Sequence, residues 1–401
     1  MSYKYLLDIA LILLSTKCLS LLTKRFNLPQ VVGALLAGVI LGPAMFNILN
    51  ETEFISQMAE LGVIVLMFTA GLESNIDELK ESGRDSLIIA LLGVIIPLFG
   101  GFVVAELFLS NEIMGVSDTI QSIFIGIVLT ATSVSITVET LKEMGKLSTH
   151  AGNAILGAAI IDDILGILAL TLITSIADPQ VSMKIVIFKV IGFFIFSLIV
   201  GSVISVLFNM WTHKYNVDKR RFVIFAFVIC LLMSFAAQEF FGVADITGAF
   251  IAGLILSQNN ERSYIKNRFE TVSYMILSPM FFASIGICIT IPEMNFKILA
   301  FTVILTLIAI ISKVIGCGLG AKICRYTKKE SIQIGIGMIS RGEVALIVAS
   351  KGMALGLMSN YFVGPIIIMV LITTIITPIL LKLVFKDGTN NKPNFPIETQ
   401  V

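Results

Sequence analysis

The sequence predicts an all-α polytopic membrane protein with thirteen transmembrane helices, inverted-topology repeats and crossed discontinuous helices. Three observations carry this. First, 56% of the 401 residues are hydrophobic, only 14% are charged and the mean hydropathy is +0.96, whereas soluble domains carry about 25% charged residues. Second, apolar runs of bilayer-spanning length recur along the whole chain with short polar breaks between them. Third, a nine-residue motif returns 215 residues further on. The formal net charge of +1 and the absence of a basic block with interleaved aromatics exclude a nucleic-acid partner; the expected surroundings are membrane lipid.

The runs fall at 3–23, 28–48, 55–73, 86–109, 120–141, 149–177, 184–212, 220–240, 243–258, 270–291, 296–322, 330–352 and 360–386. The first begins near Lys4 as a signal peptide would, but no small-residue cleavage site precedes the second, so it reads as a retained helix. Asp387 to Val401 reads as a short disordered cytoplasmic tail. Cys18, Cys230, Cys288, Cys317 and Cys324 are odd in number and scattered without CxxC spacing, which marks packing residues and predicts no disulfide frame, metal site or cofactor. His150 and His213 fall at cytoplasmic span ends and read as solvated, as do Glu73, Glu139 and Asp245 near span ends; Pro97, Pro279, Pro365 and Pro378 read as helix kinks.

Orientation follows from Lys and Arg. With the N-terminus outside and the C-terminus in the cytoplasm, twenty basic residues lie on the cytoplasmic side and four, Lys4, Lys184, Lys297 and Lys351, on the other. That asymmetry is the positive-inside signature, and it requires an odd number of spans.

The repeat has a direction. GALLAGVIL at Gly33 to Leu41 and GAFIAGLIL at Gly248 to Leu256 share six of nine residues, in spans two and nine, and MFTAG at Met67 to Gly71 echoes FFASIG at Phe281 to Gly286 in spans three and ten. Seven spans is an odd offset, so the copies run in opposite directions, the mark of secondary carriers whose site lies near the midplane at interrupted helices.

Charges inside the membrane point to that site. Asp162 and Asp163 lie at the middle of span six, where a carboxylate needs a cavity, a counter-ion or a proton. Lys313 lies at similar depth in span eleven, and the acids at its level are Asp162, Asp163 and Glu343. Successive helical residues point about 100° apart, so one aspartate can face Lys313 while the other faces a cavity. Span five crowds Thr130, Thr132, Ser133, Ser135 and Thr137 into LTATSVSITVE, and its repeat mate, span twelve, places Gly335, Gly337 and Gly342 around Arg341 and Glu343. Both read as broken helices of the kind that build an ion site. The hydroxyls could instead bond back to their own helix, and Arg341 with Glu343 could be a structural ion pair holding the crossing or a part of the transport site.

TATSVS at Thr130 to Ser135, IIDDILGI with its tandem aspartates, Lys313 and RGEVAL at Arg341 to Leu346 together resemble the bacterial NapA-type monovalent cation/proton antiporters of the cation:proton antiporter-2 family, a branch related to Kef, over essentially the whole chain. The resemblance implies a homodimer in the cytoplasmic (inner) membrane, with a scaffold or dimer domain at 1–82 and 214–294, a core ion-transport domain at 83–178 and 295–388, a linker helix at 179–213 and the tail at 389–401. It implies elevator-type exchange of Na⁺, Li⁺ or K⁺ for protons, with Asp163 as the principal ion and proton carboxylate, Asp162 as a second carboxylate of the Na⁺ site that also pairs with Lys313 as counter-ion or proton carrier, and Thr132 and Ser133 lining the site. The tandem aspartates resemble the electrogenic branch. The residues alone agree on mechanism: a carboxylate open to one side at a time holds a cation or a proton, and hard oxygen ligands suit alkali cations. A K⁺ efflux antiporter or channel-like cation transporter uses the same acids, although no four-fold filter sequence is present. An intramembrane aspartyl protease, and with it enzymatic activity, is disfavoured because its two aspartates must converge from different helices.

Overall fold

The computed structural model describes residues 3–26, 28–76, 82–108, 118–177, 183–214, 219–289, 296–354 and 357–386, and it is built of helices. In chain order they are α1 (Lys4–Arg25), α2 (Gln30–Leu41), α3 (Glu53–Glu73), α4 (Gly83–Phe108), α5 (Asp118–Thr130), α6 (Val134–Glu143), α7 (His150–Ala177), α8 (Met183–Lys214), α9 (Arg220–Glu239), α10 (Asp245–Leu256), α11 (Arg262–Val272), α12 (Ser278–Ile287), α13 (Phe296–Ile323), α14 (Lys328–Gly337), α15 (Glu343–Ala354) and α16 (Val363–Val384). Among the described residues, ten helical segments are long and apolar enough to cross a membrane, with α5 and α6 together forming one and α11 and α12 another; α2 and α10 are shorter apolar helices. The expected tail at 389–401 lies outside the described residues, as does the side chain of His213.

Helix ends follow local chemistry. Thr52 caps α3 by accepting from Ile55 N at 3.3 Å, and Thr327 with Glu330 forms a reciprocal capping box at the start of α14. Span two is shorter than its apolar run. Helix α2 stops at Leu41, and residues 42–49 fold back on its end, with Asn47 N and Leu49 N donating to Gly42 O and Leu41 O at 2.8 Å. Span ten is longer than expected, because its helix starts at Arg262 with a polar turn that hydropathy discards. A π-helical turn at Ser273–Leu277 then joins α11 to α12 just ahead of Pro279. Proline has no N–H to give and crowds the carbonyl four residues back, which favours that widening.

Two sets of helices pack within themselves: α1, α2 and α3 with α9 to α12, and α4 to α7 with α13 to α16. Helix α8 runs along α7 and α10, contacting both. Its outward face carries Phe188, Leu198, Ile199, Leu207 and Met210 exposed, an apolar surface that calls for lipid or another apolar partner.

The repeated motif packs in matching ways in its two copies. A Cβ at Gly33 would strike the α1 backbone at Ser20, and one at Gly248 the α9 backbone at Met233; one at Gly38 would overlap Ala283 O of α12, and one at Gly253 Phe68 O of α3. Gly71 and Gly286 return the contact from α3 and α12. Small residues at these positions let the backbones touch, which is how helices adhere where lipid is as apolar as leucine. Gly253→Leu is therefore expected to cost about 1–3 kcal/mol or more, seen as a lower unfolding temperature in detergent. Gly166→Ala, where a Cβ meets nothing within 4 Å, is expected to be neutral or slightly stabilising. Equal melting of Gly253→Leu and wild type would refute the close crossing.

Candidate functional site

Two helix interruptions meet inside the second set of helices. The first, residues 131–133, parts α5 from α6; the second, residues 338–342, parts α14 from α15. Ser133 N donates to Ser340 O at 2.8 Å and Ser340 Oγ to Ser133 O at 2.7 Å. Thr137 Oγ1 donates to Gly337 O at 2.7 Å, satisfying a carbonyl at the end of α14, and lies 3.0 Å from Ser340 Oγ. The backbone groups freed by each break are thus partly answered by the other, as a membrane interior requires. Gly342 makes the contact possible: a Cβ there would sit 2.7 Å from Ser133 Oγ.

The hydroxyls divide between the two roles open to them. Thr130 bonds back to Ile127 O at 2.7 Å and Thr132 to Thr130 O at 3.4 Å, whereas Ser133 Oγ lies 3.2 Å from Ser135 Oγ and Thr137 reaches across the crossing. Thr132 and Ser133 are both buried at the break itself.

Asp162 and Asp163 sit midway along α7, which packs on α4, α5, α6 and α14. Their burial differs: Asp162 is 2% exposed and Asp163 is half-buried. Lys313, fully buried on α13, donates to Asp162 Oδ1 at 2.9 Å. The pair lies beside the close crossing of α4 and α13, where a Cβ at Gly93 would come 3.7 Å from Lys313 Nζ and one at Gly316 would press on Leu92 O. A buried ammonium and carboxylate so matched offset each other's desolvation.

Arg341 is the largest fully buried side chain of the described residues. Its guanidinium donates to Leu129 O at 2.7 Å and to Ile339 O, carbonyls near the C-terminal ends of α5 and α14. Those ends carry the negative poles of two half-helices, so the cation is held by backbone dipoles. It also lies within electrostatic reach of Asp162. The side chain of Glu343, the expected partner of Arg341, lies outside the described residues. Sequence reasoning passed over Thr374, whose hydroxyl donates to Arg341 O; the available signal was the threonine run 373, 374 and 377 in an otherwise apolar span.

Near the span ends the expectation of solvated acids fails for Glu73. Its carboxylate lies 2.9 Å from Lys266 and 3.8 Å from Lys142, while Glu270 lies 3.3 Å from Lys142 and 3.6 Å from Lys266. The residues are scattered in sequence and converge only because α3, α6 and α11 end together. His150 is exposed as expected, yet it stacks on Tyr326 and lies 3.0 Å from Glu330. Asp245 is partly buried and supports the first turn of α10 through Ile246 N.

Comparison with known proteins places this arrangement. Residues 10–387 match the family described as sodium/hydrogen exchanger, transmembrane. The chain is 39% identical over 386 residues to the Na⁺/H⁺-K⁺ antiporter GerN of Bacillus cereus, covering 96% of this chain and 97% of that one. It is 36% identical to a Na⁺/H⁺ antiporter of Enterococcus hirae, over 93% and 96% of the two chains. The fold is similar to that of the sodium proton antiporter MjNhaP1 of Methanocaldococcus jannaschii, with a TM-score of 0.71, 16% identity and coverage of 98% and 100%.

Proposed function

The chain belongs to the sodium/hydrogen exchanger family, a family of transporters and not of enzymes, and from that premise we propose that it exchanges Na⁺, or Li⁺ or K⁺, for protons at Asp163. The observation that carries the reading is the buried Lys313–Asp162 pair at 2.9 Å. With Asp162 committed to that pair, the half-buried Asp163, the next residue on α7, is in this reading the carboxylate that alternates between cation and proton, as the more exposed of the two. Such competition makes an exchanger without further machinery: the site crosses loaded with one or the other. Thr132 and Ser133 supply hard oxygens at the crossing, suited to an alkali cation, and no cofactor takes part. K⁺ stays among the substrates because GerN is named for it.

The architecture is thirteen spans in two inverted repeats with crossed broken helices. This reading counts as spans the ten long segments and the shorter apolar α2 and α10, and adds α14 with α15 as the thirteenth; the matched glycine contacts support the repeat. The set α1–α3 with α9–α12 serves as scaffold and dimer domain, the set α4–α7 with α13–α16 as the moving core, and α8 as the linker between them. The core carries the ion by an elevator shift within a homodimer in the cytoplasmic membrane, N-terminus outside and C-terminus inside.

Exchange is electrogenic in this reading. One Na⁺ crosses against two protons, the first on Asp163 and the second on Asp162 or Lys313, which titrate as a coupled pair. The membrane potential then contributes about 2.3 kcal/mol per 100 mV. In proteoliposomes with a pH dye inside and separate Na⁺, Li⁺ and K⁺ gradients, a potential set with K⁺ and valinomycin is expected to displace the null-flux Na⁺ gradient. A null point at one Na⁺ per proton under every imposed potential would make the exchanger electroneutral. A flux that never saturates and is not coupled to pH would favour a channel.

A further inference from the structure

A cavity of about 490 Å³ lies between α6 on one side and α1, α2, α11 and α12 on the other. Leu13 and Phe282 are among its apolar lining, and its acids are Glu139, Glu143 and Glu270. Most of the charges at its wall are already engaged. Lys142 is held by Glu270 and Glu73, and Lys266 by the same two acids. The Glu143 carboxylate accepts from Gln30 N at 2.9 and 3.1 Å, and Lys17 donates to the Tyr274 hydroxyl. That leaves Glu139 as the cavity acid with no hydrogen bond or ion pair among the described residues.

Its place on α6 gives this carboxylate meaning. Glu139 lies two residues past Thr137, about 200° around the helix, so it faces away from the crossing that Thr137 bonds and toward the cavity. It also lies six residues past Ser133, roughly 9 Å along the same axis. One half-helix therefore carries the crossing at one end and, near the other, an acid without a hydrogen bond or ion pair among the described residues at the wall of a chamber of about 490 Å³. A carboxylate between apolar walls attracts a cation more strongly than one in open water. The volume has room for a cation with several waters at about 30 Å³ each.

We propose that Glu139 forms a second cation site, which holds an incoming monovalent cation with part of its water shell in this cavity before the cation moves along α6 to the crossing. The site presupposes the exchange reading above and assigns it a one-sided step. The lining includes Gln30 at the start of α2 and Lys142 and Glu143 at the end of α6, so the chamber lies toward the face where α6 ends; in this proposal cations arriving at that face meet Glu139, and those arriving at the other face do not.

The test uses full-length protein reconstituted in one orientation, with Na⁺ supplied to either face. Glu139→Gln is expected to raise the half-saturating Na⁺ concentration at the Lys142 face roughly tenfold and to leave it unchanged at the opposite face. Glu139→Asp is expected to restore most of the difference. Should Glu139→Gln fail to fold, Glu139→Asp carries the test, since its shorter reach is expected to give a smaller rise confined to the same face. Half-saturation unchanged at both faces, or shifted equally at both, would overturn the second site. Wild-type protein that exchanges nothing from either face would instead overturn the exchange reading itself.

Discussion

Asp163→Asn is expected to lower Na⁺-driven proton flux by about 100-fold or more, equivalent to roughly 2.7 kcal/mol in the barrier, while the protein still folds. Asparagine keeps the shape of the side chain and removes both the charge that holds a cation and the oxygen that takes a proton. Asp162 cannot stand in for it, because its carboxylate is buried and bonded to Lys313 at 2.9 Å. Removing a charge from a half-buried position in the middle of a membrane helix also relieves a desolvation cost, so stability is expected to hold or rise. Asp163→Glu retains the chemistry with a displaced carboxylate and is expected to keep measurable exchange. The check is dye-reported flux in proteoliposomes alongside thermal unfolding of the same preparation. Near-normal flux in Asp163→Asn would move the carrier role to another acid.

The parts of this molecule that were legible beforehand are those set by composition and spacing. Hydropathy finds a span because lipid tolerates little else, and the GALLAGVIL and GAFIAGLIL copies foretell close helix contacts because glycine at those positions lets backbones touch. The broken helices could be seen in the crowding of hydroxyls and glycines around 130–137 and 335–342. What could not be seen depends on which residues meet across distant elements. Depth along a span left Lys313 with three possible acids, and only the packing of α7, α4 and α13 selects Asp162. Glu73 looked solvated because it ends its span; its lysines lie 69 and 193 positions further on, by subtraction from Lys142 and Lys266. The guanidinium of Arg341 bonds the carbonyls of Leu129 and Ile339, groups that sequence never distinguishes. The polar opening of α11 and the fold-back after Leu41 escaped for a related reason, since hydropathy reports burial in lipid and is silent on helices that continue beyond it or stop short.

Lys313→Met separates the structural part of the buried pair from its part in transport. With the ammonium gone, Asp162 is left as a buried carboxylate without its 2.9 Å partner, and breaking a buried pair from one side costs about 3–5 kcal/mol. Asp162→Asn in the same chain removes the stranded charge, so the double variant is expected to recover most of that loss, and the cycle of single and double variants to be strongly non-additive. Unfolding in detergent measures it; additive effects would mean that Lys313 and Asp162 stabilise the protein independently. The double variant also decides the route of the second proton. If either Lys313 or Asp162 takes it, a chain lacking both keeps only Asp163 and exchanges one cation for one proton, and its null-flux gradient no longer responds to imposed potential. Lys313→Met alone then discriminates between the two: loss of the voltage response assigns the second proton to Lys313, and its retention assigns it to Asp162. A double variant that still exchanges and still responds to potential would remove both from the charge count and leave the tandem-aspartate account of electrogenicity without its second group.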